Sequence, residues 1–136
     1  MTKPSAQPTK QDVREFWGQV YKVAYSDVDT DLTVEALLEL LVELEDMFCL
    51  REQLPVVEVS LNELEGKKVL EIGSGAGSHS ALFATYGAVM TSLDLSAERA
   101  RSTQAKFDLL GPRARDCRAL QGDAENLPFD DDTFDI

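Results

Sequence analysis

The sequence predicts an α/β fold in which N-terminal helices precede the first half of a doubly wound parallel sheet, with strands one to three and the start of a fourth. Three observations predict it. From residue 63 onward, short apolar runs that end at glycine or aspartate alternate with stretches of helical periodicity. The first run passes into Glu71-Ile72-Gly73-Ser74-Gly75-Ala76-Gly77, a turn with no Cβ at alternate positions, which the chain needs where it bends sharply and lets a ligand reach its backbone. Residues 12–62, by contrast, hold only helical patterns. Strand–helix–strand–helix–strand at these lengths means parallel pairing through right-handed crossovers.

Each element follows from local signals. Residues 1–11 are polar and contain Pro4 and Pro8, which reads as a disordered tail and not as a signal peptide. Val13, Phe16, Trp17, Val20, Tyr21 and residues 23–25 recur at helical spacing and predict an amphipathic helix. The polar run 26–31 breaks it, with Asp31 or Thr33 as the next N-cap. A second helix is expected over 33–51, with Val34, Leu37, Leu38, Leu41, Leu44 and Phe48 as one stripe. Glu35, Glu39, Glu43 and Asp46 form the opposite, solvated face, where like charges cost roughly 0.2–0.5 kcal/mol per pair. Pro55 and Asn62 mark the linking region, and Gly66-Lys67-Lys68 opens a strand over 69–72.

Leu82, Phe83 and Tyr86 give the next helix its buried face, and Gly87 stops it. Residues 88–93 form the second strand, which ends in Asp94. Ser96 can cap a helix that turns Ala100, Phe107 and Leu110 inward and ends at Gly111-Pro112. Residues 117–121 read as a weaker third strand closed by Gly122-Asp123, and Thr133-Phe134-Asp135-Ile136 as the opening of a fourth. The expected organisation is a helical segment over 12–62 and a partial ligand-binding domain over 63–136. With strand one left as an edge, the chain by itself is expected to be marginal, aggregation-prone or dependent on a partner.

Composition narrows the function classes. The 136 residues are 43% hydrophobic and 28% charged, a profile of one globular domain. Thirteen basic against 25 acidic residues give a net charge of −12, which disfavours nucleic acid and anionic membranes as partners. No apolar run is long enough to span a bilayer. Cys49 and Cys117 stand apart with no histidine at ligand spacing, so they read as reduced thiols of a cytoplasmic protein, and no metal site is expected. Asp130-Asp131-Asp132 is read as a solvated turn.

Three segments should meet at one edge of the sheet: the glycine turn, Asp94, and Asp123-Ala124. The two oxygens of Asp94 suit a pair of vicinal ribose hydroxyls. Asp123 can accept from an exocyclic amine while the Ala124 N–H donates to a ring nitrogen, which is what an adenine edge asks for. Leu95 offers an apolar surface against the base. Glu71 at the mouth of the turn opposes a phosphate and suits a cation.

Together, residues 69–77, Ser92-Leu93-Asp94-Leu95-Ser96 and residues 122–130 resemble the Rossmann-like S-adenosylmethionine-dependent methyltransferases, particularly the small-molecule branch that includes quinone-biosynthesis enzymes. The resemblance covers residues 64–136 and implies a role for each matching position. Glu71, Ser74 and Gly75 would lie near the methionine half of S-adenosylmethionine, while Gly73 and Gly77 would permit the turn and close packing. Asp94 would hold the ribose, with Leu95 beside it, and Asp123 with Ala124 the adenine. The partner implied is a small-molecule methyl acceptor. The family's sheet extends beyond strand four, so the chain reads as a fragment carrying the cofactor half-site, inactive alone. The catalytic base, the acceptor and the oligomeric state are not given by these residues.

Two other readings stand beside this one. A nicotinamide- or flavin-dependent oxidoreductase would carry GxGxxG, but the spacing here is GxGxG, with Ser78 next and no further glycine until Gly87. A non-catalytic cofactor-binding module is the other. A P-loop is excluded by the missing Gly-Lys-Ser/Thr. His79 is read as a packed structural residue on the inward side of its helix. Phe16 and Trp17 are read first as core, with Trp17, Tyr21 and Tyr25 as the lid residues that the resemblance allows.

Overall fold

The computed structural model describes residues 6–24, 29–51 and 59–136. Pro4, Tyr25, the segment 26–28 and Pro55, all used above, lie outside the described residues.

Helix α1, Lys10–Ala24, begins inside the stretch read as tail. The reason is a reciprocal cap: the Asp12 N–H donates to Thr9 Oγ1 at 3.2 Å, and the Thr9 N–H donates to the Asp12 carboxylate at 2.7 Å. Helix α2, Val34–Arg51, follows, and Thr33 is its cap, accepting from the Ala36 N–H at 3.2 Å. Leu37, Leu41 and Phe48 of the expected stripe are buried, but Val34 at its start is exposed. A 3₁₀ turn, Leu61–Glu63, leads to strand β1, Lys68–Ile72. Then come α3 (Ser78–Thr85), β2 (Val89–Asp94), α4 (Ala97–Leu110), a second 3₁₀ turn (Gly111–Ala114) and β3 (Arg118–Gln121). Ser96 caps α4 as expected, through its Oγ and the Arg99 N–H.

The sheet is parallel in the order β1-β2-β3, with Val69 opposite Met90 and Leu93 opposite Leu120. Val69 and Met90 join Leu82, Phe83, Phe107 and Leu110 in one core, to which α2 adds Leu37, Leu41 and Phe48. Helix α2 packs on α3, and α1 packs on α4.

Two expectations fail at the periphery. Of the apolar residues of α1, Val13, Val20 and Tyr21 are half-buried, but Phe16, Trp17 and Val23 are exposed, and the fully buried position is Gly18, against the Glu98 carboxylate. This helix rests on the outer surface of α4, where Trp17 meets the Arg99 guanidinium and not an apolar layer. His79 likewise is exposed, and only the edge of its ring meets Phe48, with centroids 5.8 Å apart.

The edge of β1 is partly covered. The Leu70 N–H donates to the Ile136 carbonyl at 3.0 Å, and the Ile136 N–H to the Lys68 carbonyl at 3.3 Å. That is the parallel pattern centred on Val69, so Ile136 lies on the opposite side of β1 from β2. The residues expected to open a fourth strand lie beside β1 but form no strand of the sheet, and the Asp135 carboxylate accepts from the Lys68 N–H at 2.8 Å.

Candidate functional site

The carboxyl ends of the strands converge. The Gly73 and Ser74 N–H groups donate to the Leu93 carbonyl at 2.7 and 3.1 Å, and the Gly122 N–H donates to the Asp94 carbonyl at 2.9 Å. The turn after β1, the end of β2 and the turn after β3 are thereby tied together. Between them opens a cavity of about 610 Å³, a size usual for a small-molecule site.

The glycine turn is shaped by what stands behind it. Gly73, Gly75 and Gly77 all have positive φ. At Gly77 a Cβ would lie 2.7 Å from the Thr103 backbone, and at Gly75 it would lie 2.8 Å from the Arg99 guanidinium. The turn is therefore pressed onto α4, which also holds it by hydrogen bonds. Thr103 Oγ1 donates to the Gly75 carbonyl at 3.1 Å, and Ser102 Oγ to the Ala76 carbonyl at 3.4 Å.

Asp94 is buried and fixed. One carboxylate oxygen accepts from the Gly75 N–H at 2.9 Å and the other from the Ser96 N–H at 2.9 Å. Arg99 Nε stands 4.0 Å from the first of these. Glu71 lies deeper, with Ser80, and burial pushes its carboxyl up to about 7, against the Ser80 hydrogen bond and helped by the nearby Asp94 charge. Behind it the hydroxyls of Ser80 and Ser92 share a 2.5 Å hydrogen bond. Asp123 faces the opposite rim. Its carboxyl is held below the usual range by the Lys10 ammonium at 2.6 Å and by the Glu125 N–H at 3.0 Å.

Of the residues predicted for the site, Gly73, Gly75, Asp94, Leu95, Asp123 and Ala124 line the cavity. Glu71, Ser74 and Gly77 do not line it: Ser74 and Gly77 are buried within the glycine turn, and Glu71 is half-buried in β1. The structure adds Lys10, Val13, Trp17, Ile72, Arg99 and Glu125. Trp17, allowed as a lid residue, is among the residues that line the cavity, with the Arg99 guanidinium 4.9 Å from its ring centroid. Tyr21 instead donates to Asp29 at 2.8 Å and is outside the cavity lining. Among the described residues no group of histidine, cysteine or carboxylate side chains is placed to hold a metal ion. No helix described is long and apolar enough to cross a membrane.

Known proteins share this arrangement of sequence. Over 76 residues, 54% of this chain, the sequence is 38% identical to phthiotriol/phenolphthiotriol dimycocerosates methyltransferase 1 of Mycobacterium ulcerans (strain Agy99). It is 36% identical over 75 residues to fatty-acid O-methyltransferase of Mycolicibacterium smegmatis (strain ATCC 700084 / mc(2)155). In both cases the match spans 26% of the relative's length. A family model described as methyltransferase domain matches residues 69–136. That match starts within β1, takes in every sheet loop that lines the cavity and covers half of the sequence, and so the chain belongs to the methyltransferase domain family.

Proposed function

We propose that this chain carries the S-adenosylmethionine half-site of a methyltransferase that acts on a small-molecule acceptor. The observation that carries the reading is the meeting of the glycine turn, Asp94 and Asp123 around one cavity, tied by backbone hydrogen bonds. The residues fit such a ligand. Gly73 and Gly75 leave the backbone open where the methionine half would lie, and Asp94 is held with its carboxylate against the cavity for the ribose hydroxyls. Asp123 already accepts a nitrogen donor, the Lys10 ammonium, where the adenine amine would stand. Ala124 would complete the adenine edge and Leu95 would lie along the base. Glu71, half-buried at the end of β1 with its carboxyl pushed up to about 7, would lend negative charge to a sulfonium only as it ionises, with Ser74 and Gly77 holding the turn in place.

When bound, the cofactor supplies an electrophilic methyl group. The contribution of these residues is orientation, since an in-line displacement gains most of its rate from near-attack geometry. One relative is by name a fatty-acid O-methyltransferase, which supports a small acceptor over a macromolecule. The whole protein is proposed to act without a metal and in the cytoplasm.

Isothermal titration with S-adenosylhomocysteine and, separately, with NAD tests the reading. Binding of the first alone is expected. Heat released with NAD alone would replace the reading with an oxidoreductase.

A further inference from the structure

Helix α1 is attached to the rest of the chain in two different ways. At its outer end the Lys10 ammonium sits 2.6 Å from Asp123 and 2.5 Å from Glu125, with the lysine side chain 53% exposed. Toward its inner end the attachment is buried. Tyr21 donates to Asp29 at 2.8 Å, and Asp29 pairs with Lys106 of α4 at 2.8 Å, the two charged side chains being 11% and 6% exposed. Lys106 continues to Ser102 at 3.2 Å. Between the two ends Gly18 is buried, Val13 and Val20 are half-buried, and the exposed Trp17 lies on the Arg99 guanidinium. The helix thus has one firm end and one end held by exposed charges, and the loosely held end covers the cavity.

The contact at that end is also competitive. Asp123 Oδ1 takes the Glu125 N–H, and Oδ2 takes Lys10. Lys10 and Asp123 both line the cavity, so an N–H donor that approaches Asp123 from there meets the Lys10 ammonium and competes with it for the carboxylate charge. We propose that α1 is a hinged cover, latched by Lys10 on Asp123 and Glu125 and released when a ligand's amine takes Asp123. The latch deepens the proposed function and rests on it for the identity of that ligand, an aminopurine nucleoside. An exposed ion pair biases such an equilibrium by about two- to five-fold, so the latch tunes access without sealing the site.

The experiment compares the full chain with its Lys10→Met variant. S-adenosylhomocysteine is the probe because it has no sulfonium, so the lost lysine charge does not itself favour a cationic ligand. The variant is expected to bind it about three-fold more tightly. Without ligand, acrylamide quenching of Trp17, the single tryptophan in the sequence, is expected to rise about two-fold as the cover opens. Glu125→Gln, which leaves Asp123 in place, should move both readouts in the same direction. Equal or weaker affinity in Lys10→Met, or unchanged quenching, overturns the latch. If neither protein binds S-adenosylhomocysteine, the methyl-transfer reading fails, while Trp17 quenching still decides whether Lys10 holds α1 down.

Discussion

Gly73 and Gly77 have nearly the same backbone conformation, with φ of 76° and 86°, yet different surroundings. A methyl group at Gly73 meets nothing within 4 Å, whereas at Gly77 it meets Thr103 at 2.7 Å. Gly73→Ala should therefore cost only the left-handed penalty, about 1–2 kcal/mol. Gly77→Ala should add about 1–3 kcal/mol of overpacking, and urea unfolding of the two variants checks the difference. Glu71 makes a second prediction. Its folded carboxyl titrates at about 7 against an ordinary 4.5, so between those values the folded chain holds a proton that the unfolded chain has lost. Stability should fall as pH rises through that window, and Glu71→Gln should flatten the slope in melts at about pH 5 and about pH 8. Asp94→Ala should weaken S-adenosylhomocysteine binding by about 1–3 kcal/mol in calorimetry. Asp94 and the glycines were legible because each sits in a run whose neighbours in sequence are also its neighbours in space. Arg99 was not, since on its helix it is one more charged residue, and only the missing Cβ of Gly75 lets it reach the site.

Among the elements, the strands, α3 and α4 follow the sequence closely because their ends are written locally, in Gly87, Ser96 and Gly111. The setting of α1 was not legible. It depends on Lys10 meeting Asp123, 113 positions away, and on Lys106 meeting Asp29, 77 positions away, and no periodicity links such pairs. The Thr9–Asp12 cap was readable in principle, since Thr-x-x-Asp is a start signal, and it would have moved the helix into the presumed tail. The buried pair gives a further test. Lys106→Met leaves the Asp29 carboxylate buried without its cation and should cost about 3–5 kcal/mol. Adding Asp29→Leu should recover most of that loss, a recovery visible in the urea midpoint of the double variant.

For the molecule as a whole, the net charge of −12 sets a field that the cavity shares through Asp94, Asp123 and Glu125. Raising salt from about 0.05 M to about 0.5 M shortens the screening length severalfold. It should weaken binding of the sulfonium-bearing S-adenosylmethionine more than that of S-adenosylhomocysteine, and calorimetry at the two salt levels reads that difference.

The position of Ile136 bears on how a second molecule would approach. Up to β3 the backbone steps across the sheet in one direction, and by Ile136 it has doubled back to the far flank of β1. Loops that leave neighbouring strands toward opposite flanks part from each other and leave a gap at the divide. Ile72, 52% exposed, stands at the lip of that gap and also lines the cavity. An aliphatic side chain of β1 thus forms part of the wall of that chamber.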